Sequence, residues 1–377
     1  MISNGKRLTL MIKQMNNTVI VIGGGVAGMA ATGKLRQFGL DVVLIEKAAE
    51  LGGHVKNWYK VFPDFTDASE ILDNLKEYLK GTKILTNTTV TNIEGTAPNF
   101  TVTTSTGEKI DSSAIIVATG FRHFDASSKE EYGYGIYDNC ITSVELDAML
   151  KQQSLKTRAG KPPKKVGMIH CVGSRDQQVN NNYCSRVCCT NGVKTAIEIK
   201  ELIPDCEIYC LYMDIRVFGR GYEELYRTSQ EKYGVQFIRG RLSEAGEKRD
   251  GSLLLRLEDT LTAKPMRLSV DMLVLMVGME GNTDLSEVAD LQVGCDRFYT
   301  TAHQQYSNNN SARPGVFLAG TATGPKAIME SITDGRAAAS EVVAYLTSMA
   351  VANKNGEGSS PESNSGACEP RRLIPCQ

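Results

Sequence analysis

The sequence has little that would tie it to nucleic acid or lipid. Its 42 Lys and Arg balance 43 Asp and Glu, leaving a formal charge of −1, so no basic groove is expected for a phosphate backbone. There is no long hydrophobic run: the longest apolar stretch, MLVLMVGM from Met272 to Met279, falls well short of the roughly 20 residues that span a bilayer. The opening MISNGKRLTLMIKQMNN has only a short apolar piece, LMI, broken at once by Lys13, which does not read as a secretory signal. Ten cysteines in 377 residues are too sparse for a disulfide scaffold. A cytoplasmic protein with free or metal-bound thiolates is expected, and any membrane association falls to a partner. No C-x-x-C occurs, which argues against a redox disulfide at a cofactor. The histidines His54, His123, His170 and His303 are scattered and suggest no catalytic triad or metal-hydrolase motif; His170, at a strand end, reads as structural.

What is present is an ordinary globular composition, 41% hydrophobic and 23% charged, on a chain long enough for two domains. Residues 1–16 read as a flexible leader. Residues 351–377, rich in Gly, Ser, Pro and Asn, read as a disordered tail in which Cys368 and Cys376 are incidental. Between them a strand, turn, helix, strand pattern occurs twice. The first copy is TVIVIGGGVAGMAATGKLRQFGLDVVLIEK; the second is KKVGMIHCVGS followed, after a loop, by CCTNGVKTAIEIKELIPDCEIYCLYMD. Short β-branched runs on either side of helical apolar spacing make each a βαβ unit. The expected fold class is α/β, with two dinucleotide-binding (Rossmann-like) domains of the glutathione/thioredoxin reductase type, the second inserted in the first. The predicted boundaries are 17–160 and 294–350 for the split domain and 161–293 for the insert.

Gly23, Gly25 and Gly28 form G-x-G-x-x-G between strand and helix, and Glu46 ends the next strand with Lys47 after it. The first glycine turns the chain, the second admits a pyrophosphate, the third lets helix pack on strand, and Glu46 accepts from ribose hydroxyls. The bland alternative is a tight turn. ELGGHV, with Gly52 and Gly53, resembles the second glycine pair of two-dinucleotide-domain flavoproteins. IIVATGF, with Ala118, Thr119 and Gly120, resembles their strand-and-turn motif. PGVFLAGTATGPKAIMESITDGRAAAS, with Gly320, Thr321, Gly324, Pro325, Lys326 and Ala327, resembles the segment that closes over their flavin. Together these point to FAD. A helix from Ala327 would turn its amides toward the flavin, and Lys326 is the candidate catalytic group there, adding positive charge; the alternative for Lys326 is a solvated helix-start residue. Such proteins usually carry Gly-Asp where Gly320-Thr321 stands, which puts the ribityl contact in doubt.

In a nicotinamide-dependent flavin reductase a second glycine turn would follow VGMIH, residues 166–170. Here Cys171, Cys184, Cys188 and Cys189 lie on an extended polar loop longer than ordinary βα connections. Thiolates suit soft metals, and Arg175 and Arg186 would lower thiol pKa values and offset cluster charge. The preferred reading is a 4Fe-4S cluster on those four, with Cys140 or Cys295 as substitutes for one ligand. A zinc site and plain packing thiols remain alternatives. Cys206 and Cys210 share one face of a strand and read as core.

HCVGSRD, YCSRVCC, the segment RVFGRGYEELYRTSQEKYGVQFIRGR (216–241) and AGTATGPKAIMESI closely resemble the FAD-bearing A subunit of heterodisulfide reductases. They also resemble its shorter relative, the QmoA-type subunit of quinone-interacting membrane-bound oxidoreductases. The resemblance runs over about residues 17–350. It implies an electron-transfer flavoprotein working inside a complex with other redox subunits, with a homodimer also open, and the cysteine loop as a cluster site. Two departures stand out: the ferredoxin run C-x-x-C-x-x-C-x-x-x-C-P is absent, and NWYKVFPDFTD, residues 57–67, stands where many relatives carry a cysteine. A stand-alone NAD(P)H-dependent flavin reductase and a non-catalytic FAD/zinc scaffold are the competing functions.

Overall fold

The structure, a computed structural model, describes residues 18–354. The leader 1–16 and the tail beyond Lys354, with Cys368 and Cys376, lie outside the described residues. The described chain divides into two compact units, one of residues 18–53, 72–121 and 281–354, the other of 54–71 and 122–280.

In the first unit TVIVI and DVVLI are buried almost throughout, as strands covered on both faces must be, and such strands pair in parallel. Thr18–Ile22 is the central strand. Asp41–Ile45 and Ala114–Val117 flank it, with Lys83–Leu85 and Val316–Leu318 at the edges, and all neighbours run parallel. A three-stranded antiparallel sheet, Val90–Thr96, Asn99–Thr104 and Lys109–Ser112, precedes Ala114–Val117 and buries Phe100 and Val102 in one core with Ile20, Ile115 and Val316. Helix Val26–Gln37 leaves the central strand directly. The long helix Ile328–Lys354 packs beside it so closely that a Cβ on Gly335 would stand 2.2 Å from the Ala27 carbonyl oxygen. This helix continues four residues into the segment read as tail, because its apolar spacing persists through buried Leu346, Met349 and Ala350.

The second unit repeats the plan. Lys165–Val172 is central, between Glu207–Tyr212 and Met272–Val277, with Gln236–Arg239 and Cys140–Thr142 at the edges, again all parallel. A second antiparallel trio, Leu242–Glu247, Leu253–Asp259 and Lys264–Val270, precedes Met272–Val277. The observed division corrects the predicted boundaries at 160 and 293. Phe124, Ala126, Tyr132 and Cys140 share a core with Ile169, Leu211 and Leu273, so the second unit begins before residue 161. Leu285, Ala289 and Leu291 pack with Ile20 and Ile115, so the first unit resumes before residue 294.

A buried ion cluster in the second unit carries a pH prediction. Lys194, with a side chain 1% exposed, faces Glu198 at 2.9 Å and Asp147 at 3.2 Å, and also donates to the Lys60 carbonyl. Neither Glu198 oxygen receives a properly directed hydrogen bond. Burial therefore prevails over the attraction of Lys194 and raises the Glu198 pKa to about 7. A carboxyl raised on folding stabilises fully below its unfolded value, and that contribution is lost as pH rises through the folded value. Urea midpoints should fall between about pH 5 and pH 7.5 by the equivalent of about 3 kcal/mol, and Glu198→Gln should flatten this slope. Superimposable profiles for the two proteins would contradict the assignment.

Candidate functional site

In the first unit the predicted dinucleotide residues converge on the C-terminal end of the central strand, where ligands bind in open parallel sheets. Gly23 has φ +111°, and a Cβ there would lie 2.3 Å from the Ala118 carbonyl oxygen. At Gly28 a Cβ would lie 1.8 Å from the Gly23 carbonyl oxygen. Both glycines are required by the protein's own packing. Gly25 differs: it is the N-cap of helix Val26–Gln37 without a side-chain cap, and a Cβ there would meet nothing within 4 Å. The space beside Gly25 at the helix N-terminus is therefore open, as close approach of an anion needs.

The other motifs close around this turn. The Gly52 amide donates to the Gly24 carbonyl, and Gly53 (φ +55°) approaches Gly25 so that a Cβ would stand 3.2 Å from its Cα. Glu46, 8% exposed, accepts from the amides of Gly24 at 2.6 Å and Ala48 at 2.7 Å, tying its carboxylate to the glycine turn; Lys47 is exposed. The Ala118 amide bonds to the Ile22 carbonyl, and Thr119 exchanges hydrogen bonds with Asn282. Gly120 comes within 3.9 Å, by a notional Cβ, of the Thr321 hydroxyl. Gly320 (φ +68°) packs on Ala27, and Gly324 (φ +138°), followed by half-buried Pro325, faces open space. This cradle fits a dinucleotide.

Lys326 is bound within its own segment. Its Nζ donates to the Gly320 carbonyl at 2.8 Å and the Thr323 hydroxyl at 2.5 Å, and lies 3.4 Å from Asp334. Asp334, which sequence reasoning missed, also accepts from the Gly320 amide and from Asn309. The solvated helix-start alternative does not hold. The helix begins at Ile328, and the Ala327 amide is taken by the Glu330 carboxylate at 2.8 Å, so that amide is not turned outward. Lys326→Met should lower the urea midpoint by the equivalent of about 1–2 kcal/mol, with or without added FAD. An unchanged midpoint would leave Lys326 without a structural role.

In the second unit Cys171 ends the central strand and Cys188 and Cys189 open helix Cys188–Leu202, the place where the first unit has its glycine turn. Cys171, Arg175 and Arg186 adopt φ of +63°, +55° and +60°, a left-handed region uncommon for such residues. The loop between is held by paired bonds of Asp176 with Asn181, by the Arg175 amide on the Tyr183 carbonyl, and by Ser174 and Ser185 hydroxyls 2.5 Å apart. Cys184, half-buried, accepts from the Arg186 amide at 3.3 Å. Cys171, Cys188 and Cys189 are buried together in one cluster, and interaction with the Cys171 and Cys189 thiols, then burial, holds the Cys188 pKa high. The Cys171 pKa falls to about 7, first through Cys188 and further through His170 and Arg175, against burial. Cys189 is lowered by Cys188, then by His170.

His170 is buried with neither ring nitrogen in a hydrogen bond of ordinary geometry; its polar neighbours are the Cys189 and Cys210 thiols. Gly192 makes room for the ring, since a Cβ would stand 2.5 Å from it. Three thiols in contact beside a buried imidazole, with Cys184 on the same loop, are a donor set that suits a soft metal or cluster. Among the described residues no three His, Cys, Asp or Glu side chains form a ready ion site. Cys140 donates to the Tyr132 carbonyl and burial pushes its thiol up to about 12, a poor ligand; Cys295 belongs to the other unit. Cys206 and Cys210 are fully buried in the core, as expected. The histidines are less scattered than predicted: His54 and His123 meet edge to face at 4.5 Å, and burial, then His54, lowers His123 to about 4.

Residues 17–162 match the model of the pyridine nucleotide-disulphide oxidoreductase family. The chain is 44% identical over 240 residues to the A subunit of the H2:CoB-CoM heterodisulfide, ferredoxin reductase of Methanothermobacter thermautotrophicus, covering 61% of this chain and 36% of that protein. It is 32% identical over 425 residues to the iron-sulfur A subunit of the CoB–CoM heterodisulfide reductase of Methanocaldococcus jannaschii, covering 88% of this chain and 64% of that one. The chain is a homologue of these heterodisulfide reductase A subunits. It spans about a third of the length of the first of these relatives. The fold of this heterodisulfide reductase homologue is also that of T. acidophilum thioredoxin reductase, with TM-score 0.61 at 18% identity over 87% of this chain and 98% of that one. The family is one of oxidoreductases. Among the described residues no helix of the heterodisulfide reductase homologue is long and apolar enough to cross a membrane.

Proposed function

We propose that the chain is an FAD-dependent electron-transfer subunit of a heterodisulfide reductase-like or quinone-interacting oxidoreductase complex. In this reading FAD lies on the Gly23–Gly28 turn and a 4Fe-4S cluster is held by Cys171, Cys184, Cys188 and Cys189. The observation that carries it is the contact of the Cys171, Cys188 and Cys189 thiols at the strand end where a nicotinamide-binding domain would have its phosphate-binding turn. When bound, FAD supplies exchange of electron pairs and the cluster supplies exchange of single electrons.

The chain's own residues bind and orient. Gly25 and the first turn of helix Val26–Gln37 receive the pyrophosphate, and Glu46, fixed by two amides, keeps lone pairs for ribose hydroxyls. Lys326, Asp334 and the Gly320 amide hold the closing segment in shape. Arg175, paired with Asp214 at 2.7 Å, places positive charge beside the thiol pocket. The relatives are subunits by name, which supports partner redox subunits for this chain.

Elemental analysis of anaerobically purified chain tests the reading: about four iron and four acid-labile sulfide per chain are expected. One zinc without sulfide would replace it with the scaffold function. A second reading, a stand-alone NAD(P)H-dependent reductase, is favoured by the likeness of the two parallel sheets; sustained NADPH oxidation by the isolated chain would support it.

A further inference from the structure

The segment MDIRVFGRG, residues 213–221, follows the second strand of the second unit and lies over the thiol pocket. The Cys189 thiol donates to the Asp214 carbonyl at 3.5 Å, and the Arg216 amide donates to the same sulfur. Two residues on, Phe218 is 69% exposed, with the Arg186 guanidinium over its ring at 5.5 Å. Arg216 and Arg220 are exposed and enter no ion pair among the described residues. The segment's acid, Asp214, lies between Arg175 at 2.7 Å and Arg239 at 3.6 Å. On the following helix Glu224 is paired with Arg227, leaving Glu223 as the nearby exposed carboxylate.

On a chain of formal charge −1, Arg186 over the Phe218 ring and exposed Arg216 and Arg220 on the same segment make a local basic face with an apolar centre, while Asp214 is already held by Arg175 and Arg239. Arginine and aromatic side chains are the groups that carry binding energy at protein interfaces, and a one-signed rim steers an oppositely charged partner. We propose that this Phe218-centred arginine face is the docking surface for an acidic electron-carrier protein, seated over the Cys189 edge of the thiol pocket. The inference rests on the reading of the cysteine loop as a cluster site. The transfer it serves moves one electron between carrier and chain and makes or breaks no bond.

The test measures binding of an acidic two-cluster ferredoxin to the full chain as a function of salt, with iron determined on the same samples. Arg216→Glu with Arg220→Glu should weaken binding at low salt at least about tenfold and make the salt dependence shallower, with iron unchanged. Phe218→Ala should weaken binding about tenfold at low and high salt alike. Undiminished ferredoxin binding by the double variant would overturn the proposal. So would equal binding of basic cytochrome c, or charge-reversal-sensitive binding confined to phosphatidylglycerol vesicles. An iron-free wild-type chain would instead overturn the cluster reading, and the two failures are therefore read separately.

Discussion

Cys188→Ser is expected to strip the chain of iron and sulfide, from about four of each to less than one, while leaving bound FAD unchanged. Cys188 is the thiol that interacts with both Cys171 and Cys189, so the substitution removes the central member of the set. Serine is close in size, but Cys188 is only 4% exposed, and a fold defect would confuse the result. Cys184→Ser guards against that, because Cys184 is half-buried on the loop and does not sit inside the core. FAD should persist in both, since the glycine turn and the cysteine loop belong to different compact units. Full iron in both variants would refute the ligand assignment, and loss of FAD with iron would refute the independence of the two sites.

Gly25→Val should do the reverse, weakening FAD at least about 100-fold, or about 2.7 kcal/mol, while iron remains. The structure singles out this glycine among the three. A side chain at Gly23 or Gly28 would collide with backbone oxygens at 2.3 and 1.8 Å, whereas at Gly25 nothing lies within 4 Å. Valine at 25 therefore disturbs no contact of the protein and occupies only the space through which a pyrophosphate must approach. Normal FAD content in a folded Gly25→Val protein would mean that the dinucleotide does not use this turn.

Local chemistry was the most legible part of the sequence. The glycine turn and the acid at the strand end are written in short spacings, and the structure places both as expected; of the four cysteines expected on one loop, Cys171 falls within a strand and Cys188 and Cys189 within a helix, leaving Cys184 on the loop. The unit boundary was less legible. Cys140–Thr142 is three residues long, and its partner strand, Met272–Val277, is remote in the chain; no local pattern joins them. Asp334 was missed because its contact with Gly320 forms only when helix Ile328–Lys354 packs back on the turn. His170 was read as structural, yet its place among thiols depends on the gap left by Gly192 across the strand–helix contact. The contacts of Lys326 with Gly320 and Thr323 in its own segment could not be read from the sequence. Residues whose role depends on a distant partner leave no periodicity to read.

The central claim is that inorganic sulfide and iron stand at the second unit's strand end in place of a nicotinamide nucleotide. An EPR spectrum of the anaerobic chain, before and after dithionite, addresses this most directly. A reduced 4Fe-4S signal integrating to about one spin per chain is the predicted result. A yellow, EPR-silent preparation, free of iron and bleached by NADPH, would contradict it.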